Sequence, residues 1–298
     1  MPDVSTDAAP QAPAEPGRPP AAGRSLRRRR LPLALAVVAG VLVVIVVAGV
    51  VWFVAGRDRA RARSTDEAVE TFRNANTAPS TDPVARRPAA GVYTATASGS
   101  ESVGIAGLDE SLGPEAPVTV THGSGECFTY RADLNTHHWR SWTYCPTADG
   151  GSSLAGTASS TLRKFPGLDF GSVNTYTCDR PLPARWSAQA AGDRRDGTCT
   201  GTSDTIEGVT SDAGTVEVIE VGSYRVGATD VPAVHLRTTD TFGGAQTGTE
   251  TAELWIATDT GLPLSITFDT QVKSDTPLGT ADYVDRGRVD LTALTPTS

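Results

Sequence analysis

A chain of 298 residues, 39% hydrophobic and 20% charged, has material for one large folded domain or two small ones. Its formal net charge of −8 hides an asymmetry: residues 1–89 carry 8 acidic and 13 basic side chains, and the rest carries 26 acidic and 13 basic. A body this acidic, with no basic stripe interleaved with aromatics, excludes nucleic acid as a partner.

Residues 1–30 open with Pro10, Pro13, Pro16, Pro19 and Pro20 among small and polar residues, then reach Arg24 and Arg27 to Arg30. Nothing here can bury a core, so the segment reads as a disordered arm. Residues 31–56 contain no charge, and as a helix they extend about 39 Å, enough to span a bilayer core of about 30 Å with some tilt. A cleaved signal peptide is the competing reading, but its apolar region runs to only about 15 residues. Five or six arginines precede the stretch, and Arg57, Arg59, Arg61 and Arg63 follow it. That bias, with Trp52 and Phe53 at the far end and all four cysteines beyond, places the N-terminus in the cytoplasm and the rest outside it.

Residues 57–89 form a connection. Ser64-Thr65-Asp66-Glu67 has the spacing of a capping box and predicts a short helix ending near Asn74. Pro79, Pro83 and Pro88 then mark an extended linker.

From residue 90 to 298 the pattern turns to period two. Strands are expected over 92–98, 117–121, 127–133, 138–145, 152–164, 206–209, 215–221, 224–228, 233–238, 251–258, 264–272 and 283–291. Many short strands between Gly, Pro, Asn and Asp turns indicate an all-β domain, either an antiparallel sandwich or a curved half-barrel. Trp142-Thr143-Tyr144-Cys145 before Asp149-Gly150 has a counterpart in Trp255-Ile256-Ala257-Thr258 before Asp259-Thr260-Gly261. The likeness raises the prospect of two similar halves, 91–165 and 199–291, each supplying a sheet.

Cys127, Cys145, Cys178 and Cys199 are an even set beyond the apolar stretch, so disulfides are expected. The most local pairing joins 127 to 145 across a hairpin, and 178 to 199 around the segment with least regular pattern. A zinc site is disfavoured, because no C-x-x-C pair occurs. His137 and His138 would point to opposite faces of a strand, beside Trp139, Trp142 and Tyr144, which wall a cavity or fill a core. There is no G-x-S-x-G, H-E-x-x-H, phosphate loop or dinucleotide fingerprint, so no catalytic residue, metal or cofactor is assigned and the chain reads as a non-enzyme.

The run Cys127…Trp139…Trp142…Cys145…Asp149-Gly150, followed by Tyr176-Thr177-Cys178, Trp186 and Cys199, resembles uncharacterised actinobacterial single-pass membrane-anchored ectodomains. That resemblance brings no activity with it. The phrase from Leu254 to Leu264, Leu-Trp-Ile-Ala-Thr-Asp-Thr-Gly-Leu-Pro-Leu, is similar to the Trp strand and Gly-Leu-Pro turn of LolA/LppX-like lipoprotein carriers, which implies a curved sheet enclosing a lipid-binding cavity. The leading expectation is therefore a membrane-tethered module binding a hydrophobic or envelope ligand through some of Phe128, Tyr130, Trp142, Trp255 and Phe268. A structural or protein-interaction ectodomain is the alternative, and a hydrolase using two converging carboxylates is a third.

Overall fold

The structure is a computed structural model. It describes residues 30–75, 87–104, 109–148, 151–182, 190–276 and 279–297, so the N-terminal arm, most of the Pro-rich linker and Trp186 lie outside the described residues. The chain divides into two compact units, 1–52 and 53–298.

Helix α1 (Arg30–Ala55) is continuous over 26 residues, and its last turn belongs to the second unit. Pro32 is tolerated because it sits in the first turn, where its missing N–H has no helical partner to lose. The side chains of α1 are described over 39–53 and at 55, and no described stretch of helix is long and apolar enough to cross a membrane. Helix α2 (Thr65–Asn74) starts with the capping box: Ser64 Oγ accepts from Glu67 N, and Glu67 Oε2 accepts from Ser64 N at 3.1 Å. Its Ala68 and Phe72 are buried against Val92.

Among the described residues the remaining regular elements are β-strands and one 3-10 turn. The strands are β1 (Gly91–Tyr93), β2 (Ala95–Val103), β3 (Glu110–Ser111), β4 (Val118–His122), β5 (Phe128–Asp133), β6 (His138–Pro146), β7 (Ser152–Phe165), β8 (Leu168–Pro181), β9 (Arg194–Ser203), β10 (Thr210–Val226), β11 (Thr229–Gly244), β12 (Gln246–Ala257), β13 (Pro263–Thr276) and β14 (Gly279–Leu291). They form one 14-stranded antiparallel sheet, a meander from β4 to β14 that curls into a half-barrel. The sandwich alternative and the two-sheet arrangement of similar halves are thereby corrected. The Trp142 and Trp255 strands do each precede a hairpin, but both belong to the same sheet.

The curl ends on itself. Segment 91–103 bonds β14 along one edge, from Ala95↔Leu291 to Val103↔Tyr283. Its other edge runs beside 110–120 in one unbroken register, through Gly91↔Val120, Thr96↔Glu115 and Glu101↔Glu110. Gly113 has a φ of 71°, and a Cβ there would strike the Ala97 carbonyl oxygen, so only glycine lets 110–120 stay this close.

Alternation explains the core. Phe128, Tyr130 and Ala132 on β5 and Leu264, Ile266 and Phe268 on β13 point inward and are buried. Three expectations from sequence need correction. Residues 206–209 precede a strand rather than form one, 215–221 and 224–226 fuse into β10, and β8 and β9 are strands where none was expected. Cys178 and Cys199 stand directly opposite each other on those two strands. Both disulfides, Cys127–Cys145 and Cys178–Cys199, are the local pairs, and no described cysteine is free.

Candidate functional site

The inward positions are apolar only over part of the barrel. Arg140 on β6, Arg180 on β8, Asp212 on β10, Asp240 on β11, Glu250 on β12 and Asp285 on β14 all occupy phases that strand alternation turns inside. Together with Trp142, Tyr176, Leu236, Phe242, Leu254 and Ile266 they wall an internal cavity of about 110 Å³. Gly201 on β9 lies under the ring of Tyr176, where a Cβ would overlap it, so the glycine sets that wall's position.

Two charged groups face the cavity. Arg180 Nη2 lies 3.0 Å from Asp212 Oδ2 and 2.8 Å from Asp240 Oδ1. One guanidinium thus serves two carboxylates, and an excess negative charge is buried. Burial raises Asp240, with Arg180 opposing and Asp212 and Glu250 adding to the rise, and its carboxyl sits at about 7. Asp212 is raised for the same leading reason. In the second group Arg140 Nη2 holds Glu250 Oε2 at 2.6 Å, and Thr270 donates to the same oxygen. The Arg140 guanidinium also lies over the Phe268 ring at 4.5 Å.

Beside this group His138 is fully buried, with Nε2 3.0 Å from Asp285 Oδ2 and Nδ1 2.8 Å from Ser160 O. Burial lowers its affinity for a proton, but Asp285 and Glu101 outweigh that and raise it to about 9. Both ring nitrogens therefore donate, one to Asp285 and one to the Ser160 carbonyl. Arg163 continues the layer, 2.9 Å from Glu101 and 3.5 Å from Glu110.

Hydrogen bonding in the cavity is lopsided. Asp212 Oδ1, Asp285 Oδ1 and Asn174 Oδ1 are buried acceptors with no hydrogen-bond partner, and Arg180 Nε and the Tyr144 hydroxyl are donors in the same condition. Asp212 and Asp285 are 6% and 1% exposed. Acceptors outnumber donors, so the space suits a group that brings N–H bonds and positive charge. Among the described residues no group of three or more His, Cys, Asp or Glu is placed to hold a metal ion.

Of the five residues singled out from sequence, Phe128, Tyr130, Trp142 and Phe268 are buried together in the core, and Trp142 is the one that lines the cavity. Trp255 projects from the other face of β12, stacked on His235 at 4.6 Å and near Tyr224 at 5.4 Å. His137 and His138 are both buried, His137 in the turn before β6, 3.4 Å from Glu110. The charged residues were missed because charge usually marks a solvated position. One signal was available: Asp240 shares phase with Leu236, Glu250 with Leu254 and Ile256, and Asp285 with Val289 and Leu291.

Outside the barrel, a groove of about 540 Å³ runs between α2 and the β5–β6 sheet. Arg63 and Arg131 share Asp133 there, and Arg131 covers Trp139 at 4.1 Å. Its charges are matched, and the groove lacks the unpaired acceptors of the interior. Comparison with known proteins finds no matching family model, no matching curated protein and no matching solved structure.

Proposed function

We propose that this chain is a membrane-tethered extracytoplasmic β-domain that works as a binding module, taking a small cationic group into the barrel interior. One observation carries the reading: buried carboxylate and amide oxygens without partners line the cavity, and Arg180 there balances only one of its two aspartates. Size narrows the ligand. A dry cavity of about 150 Å³ admits benzene, and drug-sized ligands need at least about 300 Å³. At about 110 Å³ the interior suits a primary amine or similar head group of a few heavy atoms better than a lipid chain. The envelope ligand expected from sequence is thereby reduced to its charged end.

The tether is supported by α1. Ten large apolar side chains between Val41 and Trp52 are each more than half exposed, a surface that water does not favour and hydrocarbon does. Two disulfides agree with an oxidising compartment outside the cytoplasm.

Thermal unfolding of the full chain in nanodiscs, titrated with methylammonium chloride against sodium chloride at equal ionic strength, tests the binding. Saturable stabilisation is expected, and it is lost in Asp212→Asn/Asp240→Asn. Identical curves for the two salts overturn the reading. That result favours the alternative, an ectodomain acting through its outer surface, which the small size of the cavity already supports. The hydrolase reading has less behind it, because the carboxylates brought together in the interior share arginines: Asp212 and Asp240 share Arg180, and Glu250 and Asp285 share Arg140.

A further inference from the structure

Hairpin β7–β8 is longer than its neighbours. The β6 ladder stops at His138↔Thr161, and the β9 ladder stops at Asn174↔Ser203. Residues 164–172 therefore extend beyond the β6 and β9 ladders as a two-stranded ribbon, with buried Arg163 at its root and Asp58 bridging Lys164 on one edge. Such a ribbon is marginal in water without something to cover it. Its corner is Pro166–Gly167, with Gly167 at φ 77°, the order a type II turn requires. Register places Phe165 opposite Leu168 and Arg163 opposite Phe170, so Phe165, Leu168 and Phe170 share one face. Lys164 and Asp169 take the other. Leu168 and Phe170 are 47% and 48% exposed.

The ribbon touches the end of α1. Phe53, in the helix's last turn, stacks on Phe165 at 4.7 Å, and Phe170 meets Phe165 edge-on at 5.7 Å. Asp58 N donates to Lys164 O at 3.0 Å, which fastens the connecting segment to the same tip. Three aromatic rings are thus contiguous, and one of them follows directly on Trp52 at the close of the apolar run. Arg57 and Arg59 follow, at the level where anionic headgroups would lie.

We propose that the tip of β7–β8 inserts into the bilayer interface, as a membrane contact of the barrel in addition to the tether. The proposal depends on the tether reading above. Continuity with the apolar stretch selects lipid as the occupant, because the aromatic face begins where that stretch ends. Phe and Leu at a corner flanked by basic residues match the composition of interfacial anchors.

Single nitroxides at Phe170→Cys, Ile45→Cys and Ala228→Cys, in the oxidised full chain in phosphatidylglycerol-containing nanodiscs, test this by power-saturation spectroscopy. Ala228 lies in the β10–β11 turn at the opposite end of the barrel and is exposed. A label at 170 should show an oxygen-to-nickel accessibility ratio several-fold above that at 228 and approaching that at 45. A ratio at 170 equal to that at 228, with 45 in lipid, overturns the insertion and leaves the tether standing. A label at 170 shielded from both reagents, or spin-coupled to a second copy, also overturns it by assigning the face to protein. Water accessibility at 45 removes the tether, and the insertion with it.

Discussion

Replacing Asp240 by Asn should stabilise the protein, and the gain should depend on pH. Asp240 is 3% exposed and shares Arg180 with Asp212, and burial lifts its carboxyl from 3.8 to about 7. A carboxyl raised in the folded state contributes stability that is fully present below its unfolded pKa. That contribution is lost as pH rises through the folded value. Each pH unit in that window costs the wild type up to about 1.4 kcal/mol, so a rise of roughly three units sets an upper limit of about 4 kcal/mol. Titration shared with Asp212 lowers the share seen at one site, and about 2 kcal/mol is a reasonable lower figure. Asn carries no charge at any pH. The difference in unfolding free energy, variant minus wild type, should therefore grow between about pH 4 and about pH 7 and then level off. Urea unfolding of the full chain in mild detergent, followed by tryptophan emission, measures it. A difference that is flat across that window, or that shrinks with rising pH, refutes the buried excess charge at Arg180.

His138 should remain doubly protonated well above neutrality, since its folded value is about 9, and its contribution to stability, full below about 6.5, should fade as pH rises from there through about 9. Imidazole nitrogen shifts from NMR report this directly, and a neutral ring at pH near 7.5 contradicts the Asp285 and Glu101 pairing. Cys178→Ser/Cys199→Ser opens a loop whose ends are 21 positions apart and should cost about 3 kcal/mol, with a similar loss for the 127–145 pair. Unchanged denaturant midpoints count against both estimates. Gly201→Ala pushes on the Tyr176 ring and its hydrogen bond to Gln246, so a loss of about 1–3 kcal/mol is expected from chemical denaturation. A variant as stable as wild type would show that the wall is softer than the packing implies.

What the sequence revealed and what it concealed have the same physical origin. Wherever the inner face is apolar, as in 128–132 or 264–268, alternation exposes the strand at once. β8 and β9 went unread because their inner phase carries Asn174, Tyr176, Arg180 and Gly201, so no apolar rhythm marks them. The local disulfide pairing followed from spacing, although the strands that carry the second bridge did not. Charged residues of the cavity were taken for solvated ones, since a single chain shows a residue's type and not its phase relative to a partner strand. The curl was anticipated as a half-barrel, but the pairing of 95–103 with 283–291 leaves no local trace. The contact from Thr94 to Thr292 spans 198 positions.

That last pairing has a consequence for how the molecule is made. The segment held on both of its edges is the first strand synthesised, and one of its partners, β14, is the last. Until the C-terminus is available, 95–103 keeps an unmatched edge beside the growing meander, and the polar layer inside stays open to water. Closure is thus a late, long-range event, of the kind that makes high-contact-order β proteins slow to fold. A chain released short of β14 would present a bare edge to its neighbours, and aggregation of such fragments is the natural failure of this architecture.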